Sequence, residues 1–250
     1  MKCFIITKKQ LMLALCAVLT VAAVVLGSVR IFAAGERKLP IYCVGTDEKK
    51  IAISFDAAWG NDDTETLIEI LKEYNVPATF FVVGAWVDKY PESVKALSDA
   101  GHQVQNHSNT HPYMSKLSEE QIKNELTACN KKIEAITGKA PTLLRPPYGD
   151  YNNRLIETTE SMGMKTIQWS VDSLDWKDTA TAESICERVV KKAENGSIIL
   201  CHNDAEHTPE ALPTMLKCLK EKGFEFVFIS DLIMKDNYKI DHTGKQCKTN

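Results

Sequence analysis

The 250-residue chain has no excess of either charge: 30 Lys and Arg stand against 33 Asp and Glu, a formal net charge of −3. A general nucleic-acid binder carries a basic balance, so that class is excluded and no nucleic-acid partner is expected. Glycine (12) and proline (9) are too scarce for a collagen-like repeat or a long linker. No internal repeat or low-complexity segment occurs. Eight cysteines are present but never as C-x-x-C, so a zinc site built from cysteine alone lacks its ligand spacing. What is there is ordinary for a globular chain. The 44% hydrophobic content rules out a mainly disordered protein, and the length allows one sizeable domain.

The first 34 residues stand apart. Lys2, Lys8 and Lys9 precede a run from Leu11 to Val29 whose only mildly polar members are Thr20 and Ser28. About 19 apolar positions suffice for a helix across a bilayer core. Basic residues on the N-terminal side place the rest of the chain outside the cytoplasm. Phe32-Ala33-Ala34 offers Ala before a signal-peptidase cut, but Phe32 is bulky where a small residue is wanted. An uncleaved membrane anchor is therefore favoured over a cleaved signal segment. In either case residues 35–250 form one extracytoplasmic domain, with a core at about 50–232 and a polar, lysine-rich tail at 235–250. Disulfides are permitted there, and a Cys43–Cys247 link between the domain's ends is one expectation.

From residue 51 onward, short apolar runs alternate with amphipathic ones. Strands are expected at Ile51–Phe55, Ala78–Val83, His102–Asn106, Thr142–Arg145, Lys165–Trp169, Ser197–Cys201 and Glu225–Ile229. Helices are expected at Thr64–Tyr74, Pro91–Ala100, Ser118–Thr137, Asn153–Met162, Thr181–Glu194 and Pro209–Lys222. The helix at 118–137 has the clearest boundaries: Ser118 and Gln121 form a capping box and Gly138 ends it. Repeated β-then-α alternation implies a parallel α/β sheet, either a barrel of seven strands or an open doubly wound sheet.

In such folds reactive groups collect at the C-terminal ends of strands. Asp56 follows the first strand, His107 and His111 the third, and Arg145, Pro146, Pro147 and Tyr148 the fourth. Asp172, Asp175 and Trp176 follow the fifth, and His202 the sixth. Three of the six histidines thus fall at one rim. His107 and His111, at i and i+4, suit a first-row divalent metal such as Zn²⁺ if the backbone is helix-like there. A carboxylate from the rim could supply the third ligand. Arg145 can hold Asp56 ionised and aimed, as a general base. Asp175 can raise the pKa of His202 and make it a general acid. A base, an acid and a metal around one cleft define metal-assisted hydrolysis of an acyl or related bond.

Five blocks then stand in a familiar order: Ser54-Phe55-Asp56-Ala57, His107-Ser108-Asn109-Thr110-His111-Pro112, Arg145-Pro146-Pro147-Tyr148, Asp172-Ser173-Leu174-Asp175-Trp176 and Leu200-Cys201-His202. The chain resembles the polysaccharide deacetylases of the NodB-homology type, carbohydrate esterase family 4. Ser54–Gly60 resembles the sporulation-associated branch of Gram-positive spore formers. The resemblance implies a distorted (β/α)7 barrel that removes N-acetyl groups from cell-wall amino sugars, N-acetylglucosamine or N-acetylmuramic acid. It implies Asp56 as base, Arg145 as the residue that orients it, His107 and His111 as metal ligands and the Tyr148 N–H as an oxyanion donor. It implies His202 as acid tuned by Asp175. Trp176, Leu200 and Pro147 would wall the acetyl pocket. The cofactor would be a divalent metal: Zn²⁺, with Co²⁺, Ni²⁺ or Mn²⁺ as alternatives.

One position departs from the family. A second aspartate normally follows the base and completes the metal triad, and here that residue is Ala57. Asp56, Asp62 or Asp63 could supply the missing oxygen, or water could. Three functions follow: an N-deacetylase, a wall-binding protein that does not hydrolyse, and an esterase on O-acetylated polymer. The domain is expected to be a monomer and the site an open groove, since a polymer cannot enter a sealed cavity.

Overall fold

The computed structural model describes residues 36–249 and seven positions before them (8, 9, 12, 13, 15, 17 and 18). The expected anchor or signal segment, 1–34, otherwise lies outside the described residues. Among the described residues no helix is long and apolar enough to cross a membrane. The chain divides into two compact units, Met1–Arg37 and Lys38–Asn250.

In the larger unit, among the described residues, the order is β1 (Cys43–Val44), β2 (Lys50–Ala57), α1 (Thr64–Glu73), β3 (Ala78–Val82), α2 (Gly84–Lys89), α3 (Pro91–Asp99) and β4 (Gln103–Asn106). Next come α4 (Glu119–Thr137), β5 (Leu143–Leu144), α5 (Asn153–Ser161), β6 (Lys165–Thr166), β7 (Val171–Asp172), α6 (Ala182–Lys192) and β8 (Ile198–His202). The chain ends with α7 (Thr208–Glu221), β9 (Glu225–Phe226), α8 (Ile229–Leu232), β10 (Tyr238–Ile240) and β11 (Lys245–Lys248). Seven parallel strands pair in the order β6-β5-β4-β3-β2-β8-β7, and β9 adds to β2. This is the distorted (β/α)7 barrel.

The centre of the sheet reads as its sequence does. In β2, Ile53, Phe55 and Ala57 point into the apolar layer shared with Leu67, Leu71, Val94 and Leu97 of the covering helices. The alternate residues Ser54 and Asp56 face the barrel interior, as the two-residue period of a strand requires. Phe55 stacks on Phe80 at 4.9 Å. In α4 the capping box at Ser118 and Gln121 forms, and Gly138 closes the helix at φ 69°.

The sequence reading needs correction at four places. The strand expected at Lys165–Trp169 ends at Thr166, and a separate β7 pairs with β8 on the far edge of the sheet. Asp172 and Asp175 therefore follow β7. The strand expected at Glu225–Ile229 stops at Phe226 and gives way to α8. Residues 235–250, expected as a polar tail, hold β10 and β11, which join β1 in a second small sheet. Gln246, fully buried, anchors β11 through bonds to the Met234 N–H and carbonyl. Finally, Cys43 and Cys247 are both free thiols. The β1–β11 register pairs Cys43 with Lys245 and leaves Cys247 two residues further on.

Candidate active site

The register of the sheet delivers the first pair. Asp56 of β2 lies directly beside His202 of β8, both at the C-terminal ends of their strands. Asp56 is 7% exposed, yet it is not isolated. Arg145, fully buried just after β5, donates from Nη1 to Asp56 Oδ1 (2.9 Å) and to Ser54 Oγ (2.8 Å), and from Nη2 to the Gln168 carbonyl (3.2 Å). Its guanidinium also lies 4.2 Å from the Phe81 ring centroid. Burial works against an ionised Asp56, but Arg145, His107 and His202 together outweigh it and hold the carboxyl below its ordinary range. Asp56 is thus a carboxylate aimed and kept ionised, the condition a general base requires.

His107 and His111 meet, but not along a helix. Ser108 and His111 both adopt left-handed backbone, φ 67° and 60°. The loop is pinned by Glu125 of α4, which accepts from the Asn109 and Thr110 N–H groups and the Thr110 hydroxyl, each at 2.8 Å. Asn106 Oδ1 accepts from the Ser108 N–H (2.7 Å) and Ser108 Oγ from the His111 N–H (3.0 Å). The two rings end 5.0 Å apart, edge to face.

These side chains fit a divalent cation as two nitrogen donors. His107 Nδ1 lies 2.7 Å from the Arg145 carbonyl, which only accepts, so Nδ1 carries the proton and Nε2 presents a lone pair. That lone pair is 3.6 Å from Asp56 Oδ2. Burial lowers the pKa of His107, so a proton between these two electron-rich atoms is disfavoured and a cation suits the gap. His111 Nδ1 is buried without a partner, and burial followed by the neighbouring His107 brings its pKa down to about 4, leaving it neutral. The set stops there. Among the described residues no three His, Cys, Asp or Glu side chains close around one point. Ala57 faces the apolar layer, and Asp63 is bonded to the Asp204 N–H and does not line the cavity.

The acid half is built differently. Asp175 Oδ1 lies 2.7 Å from His202 Nδ1, and Asp175 Oδ2 accepts from the His202 N–H and the Thr208 hydroxyl, each at 2.7 Å. Burial opposes protonation of His202, but the Asp175 hydrogen bond and charge prevail and raise its pKa above the ordinary value. Leu174 (φ 59°) turns the chain so that Asp175 points back into the protein, 4% exposed.

Between these halves lies a cavity of about 400 Å³ lined by Asp56, His107, His111, Tyr148, Trp176, Leu200 and His202, among others. A larger cavity of about 900 Å³, around His102 and Phe224, contains none of these residues. Trp59, Tyr148 and Trp176 stand 70%, 56% and 57% exposed at the mouth of the smaller one, so it opens as a groove. Tyr148 is left-handed (φ 59°), which re-aims its backbone N–H. Pro147 is buried behind it and does not line the cavity. The sequence reading also passed over Trp169 in the floor, Thr208 behind Asp175, and Tyr113. Tyr113 stacks on Tyr148 at 4.4 Å, and Tyr148 contacts His111 at 4.5 Å. Tyr113 directly follows the block His107–Pro112, and that adjacency was the available signal.

Residues 44–167 match the family model described as polysaccharide deacetylase. The chain is 34% identical over 202 residues to the peptidoglycan-N-acetylmuramic acid deacetylase PdaA of Bacillus subtilis, covering 80% of this chain and 77% of that one. It is 38% identical over 195 residues to the peptidoglycan-N-acetylglucosamine deacetylase PgdA of Listeria monocytogenes, covering 78% of this chain and 41% of that one. Among solved structures, wild-type BA3943 of Bacillus anthracis, described as a CE4 family pseudoenzyme, superposes with a TM-score of 0.75 at 33% identity, covering 85% of this chain and 73% of that one. A BA3943 mutant described as having restored enzymatic activity gives 0.75 at 37% identity, covering 78% and 71%. The base, histidine pair and acid therefore sit in a chain that belongs to the polysaccharide deacetylase family.

Proposed function

We propose that this chain hydrolyses N-acetyl groups from peptidoglycan amino sugars, N-acetylglucosamine or N-acetylmuramic acid, at the wall of a spore-forming Gram-positive bacterium. The observation that carries this reading is the pair of opposed dyads, Asp56–Arg145 and His202–Asp175, across one open groove. His107 and His111 would hold a divalent cation, Zn²⁺ first among the candidates, which when bound would supply Lewis-acid polarisation of the acetyl carbonyl. Asp56 takes the proton of the attacking water, with Arg145 fixing its direction. The Tyr148 N–H faces the oxygen on which charge develops. His202 gives a proton to the leaving amine, and Asp175 keeps that proton available. Trp169, Trp176 and Leu200 receive the acetyl methyl group.

The test is acetate release from peptidoglycan by the full chain in detergent, first metal-free and then with titrated Zn²⁺ or Co²⁺. Metal-dependent acetate that is lost in His107→Ala supports the proposal. A second reading, glycan binding without hydrolysis, is favoured by one observation: Ala57 offers no oxygen ligand and is fully buried. Glycan retention without acetate at any metal level would establish that reading and overturn the first.

A further inference from the structure

Tyr148 keeps an unfavourable backbone at an open position. Its φ is 59°, and it stands 56% exposed at the mouth of the groove. A non-glycine residue stays in left-handed backbone only where its surroundings hold it there. Burial does not supply that hold. The nearest ring to Tyr148 on the side away from the cavity belongs to Tyr113, which stacks on it with centroids 4.4 Å apart and planes 18° from parallel. Lys116 Nζ in turn lies over the Tyr113 ring at 4.6 Å.

The residues after Tyr113 give the stack a fixed base. Met114 is fully buried among Ile122 and Leu126 of α4 and Leu155 of α5. Ser115 donates twice to Asp150, from its N–H to Oδ2 and from its hydroxyl to Oδ1, each at 2.8 Å. The Ser115 carbonyl accepts from Asn152 Nδ2 (2.8 Å). One residue thus enters the core, the next bonds the loop that carries Tyr148, and Tyr113 covers the Tyr148 ring. The segment that leaves His111 is tied in this way to the loop that follows Arg145. Tyr148 lines the cavity and meets the His111 ring edge to face at 4.5 Å, whereas Tyr113 does not line it. Tyr113 reaches the site only through Tyr148.

We infer that Tyr113 is a positioning residue: its stack on Tyr148, on the base of Met114 and Ser115, fixes the left-handed turn and with it the direction of the Tyr148 N–H. What that N–H does rests on the hydrolytic reading above; what holds it does not. A donor aimed at the oxygen on which charge develops acts in the transition state rather than on the bound substrate. Loosening it lowers kcat and leaves KM in place.

The test compares Tyr113→Ala with Tyr113→Phe in the full chain in detergent. Tyr113 is half exposed, so both variants keep the fold. The first readout is the ¹⁵N order parameter of the Tyr148 amide in the metal-free chain. We expect about 0.85 in the wild type and in Tyr113→Phe, and below about 0.6 in Tyr113→Ala. The second is acetate release from soluble peptidoglycan fragments with Zn²⁺ present. There kcat should fall about 10–100-fold in Tyr113→Ala at unchanged KM, and Tyr113→Phe should restore it. A wild type that releases no acetate removes the hydrolytic reading and leaves the order parameters to decide this inference alone. A Tyr148 amide as rigid in Tyr113→Ala as in the wild type overturns it. So does a rise in KM at unchanged kcat, which would place Tyr113 against the sugar, or a Tyr113→Phe as impaired as Tyr113→Ala, which would assign the effect to the hydroxyl.

Discussion

The base half and the acid half of the groove reach similar precision by different means. Asp56, Arg145 and His107 are 7%, 0% and 3% exposed; Asp56 sits on the eight-residue central β2 with the apolar layer behind it, and the buried Arg145, just after the short β5, packs against it. His202 has a side chain 28% exposed and is held by Asp175, which hangs on a two-residue strand and left-handed backbone at Leu174. Burial fixes the base, and hydrogen bonds between loops fix the acid. Damage to the base half should therefore cost stability and activity together. Damage to the acid half should cost activity and leave the fold nearly intact.

The largest break in this comparison is Arg145→Met. It leaves Asp56 buried and unpaired, which costs about 3–5 kcal/mol of stability in a urea titration. Asp56→Asn removes the base and leaves the buried Arg145 without its carboxylate, so stability falls as well, and acetate release should fall about 10²–10⁴-fold.

His202→Ala comes next. N-deacetylation should fall about 10²–10⁴-fold with little change in Tm. An O-acetyl ester has a better leaving group, so its hydrolysis should fall far less. Equal losses on amide and ester would remove His202 from the acid role.

Ala57→Asp sharpens the comparison from the other side. A carboxylate placed in the apolar layer should destabilise the metal-free chain by several kcal/mol. Zn²⁺ draws that carboxylate out of the layer toward His107 and His111, and so should raise Tm by more than it does in the wild type.

The smallest effect lies far from the groove. His102 is brought to about pH 4 by burial and has no partner for Nδ1. Its folded pKa lies below its unfolded one, so its contribution is full above the unfolded value near 6.5 and is lost as pH falls towards 4. His102→Phe should therefore lessen the stability lost between pH 7 and pH 4.5 by about 2 kcal/mol, read from denaturation midpoints.

The two halves also differed in what the sequence could reveal. The base half was legible: Ile51–Phe55 ends in Asp56, and Arg145 follows the strand that supplies its position. The pairing needed only parallel order. In the acid half the five-residue run Lys165–Trp169 looked like one strand, because Ile167 and Trp169 continue the apolar pattern. The chain instead leaves the sheet after Thr166 and crosses to the far edge before β7. Local pattern carries no information about which edge a two-residue strand joins. The histidine pair was found for an incomplete reason, since i and i+4 spacing met through left-handed turns at Ser108 and His111. The tail at 235–250 hid its strands because, among the described residues, only Gly244 and Gln246 are buried there, and its partner β1 lies about two hundred residues away in sequence.

The most direct test of the two-dyad account is an NMR titration of the histidines in the full, metal-free chain, with residue assignments from His202→Ala and His111→Ala. The account predicts that His202 titrates above its ordinary value near 6.5, that His111 titrates at about 4, and that Asp175→Asn lowers His202 while leaving His111 in place. A His202 that titrates at or below the ordinary imidazole value, or is unmoved by Asp175→Asn, would contradict it.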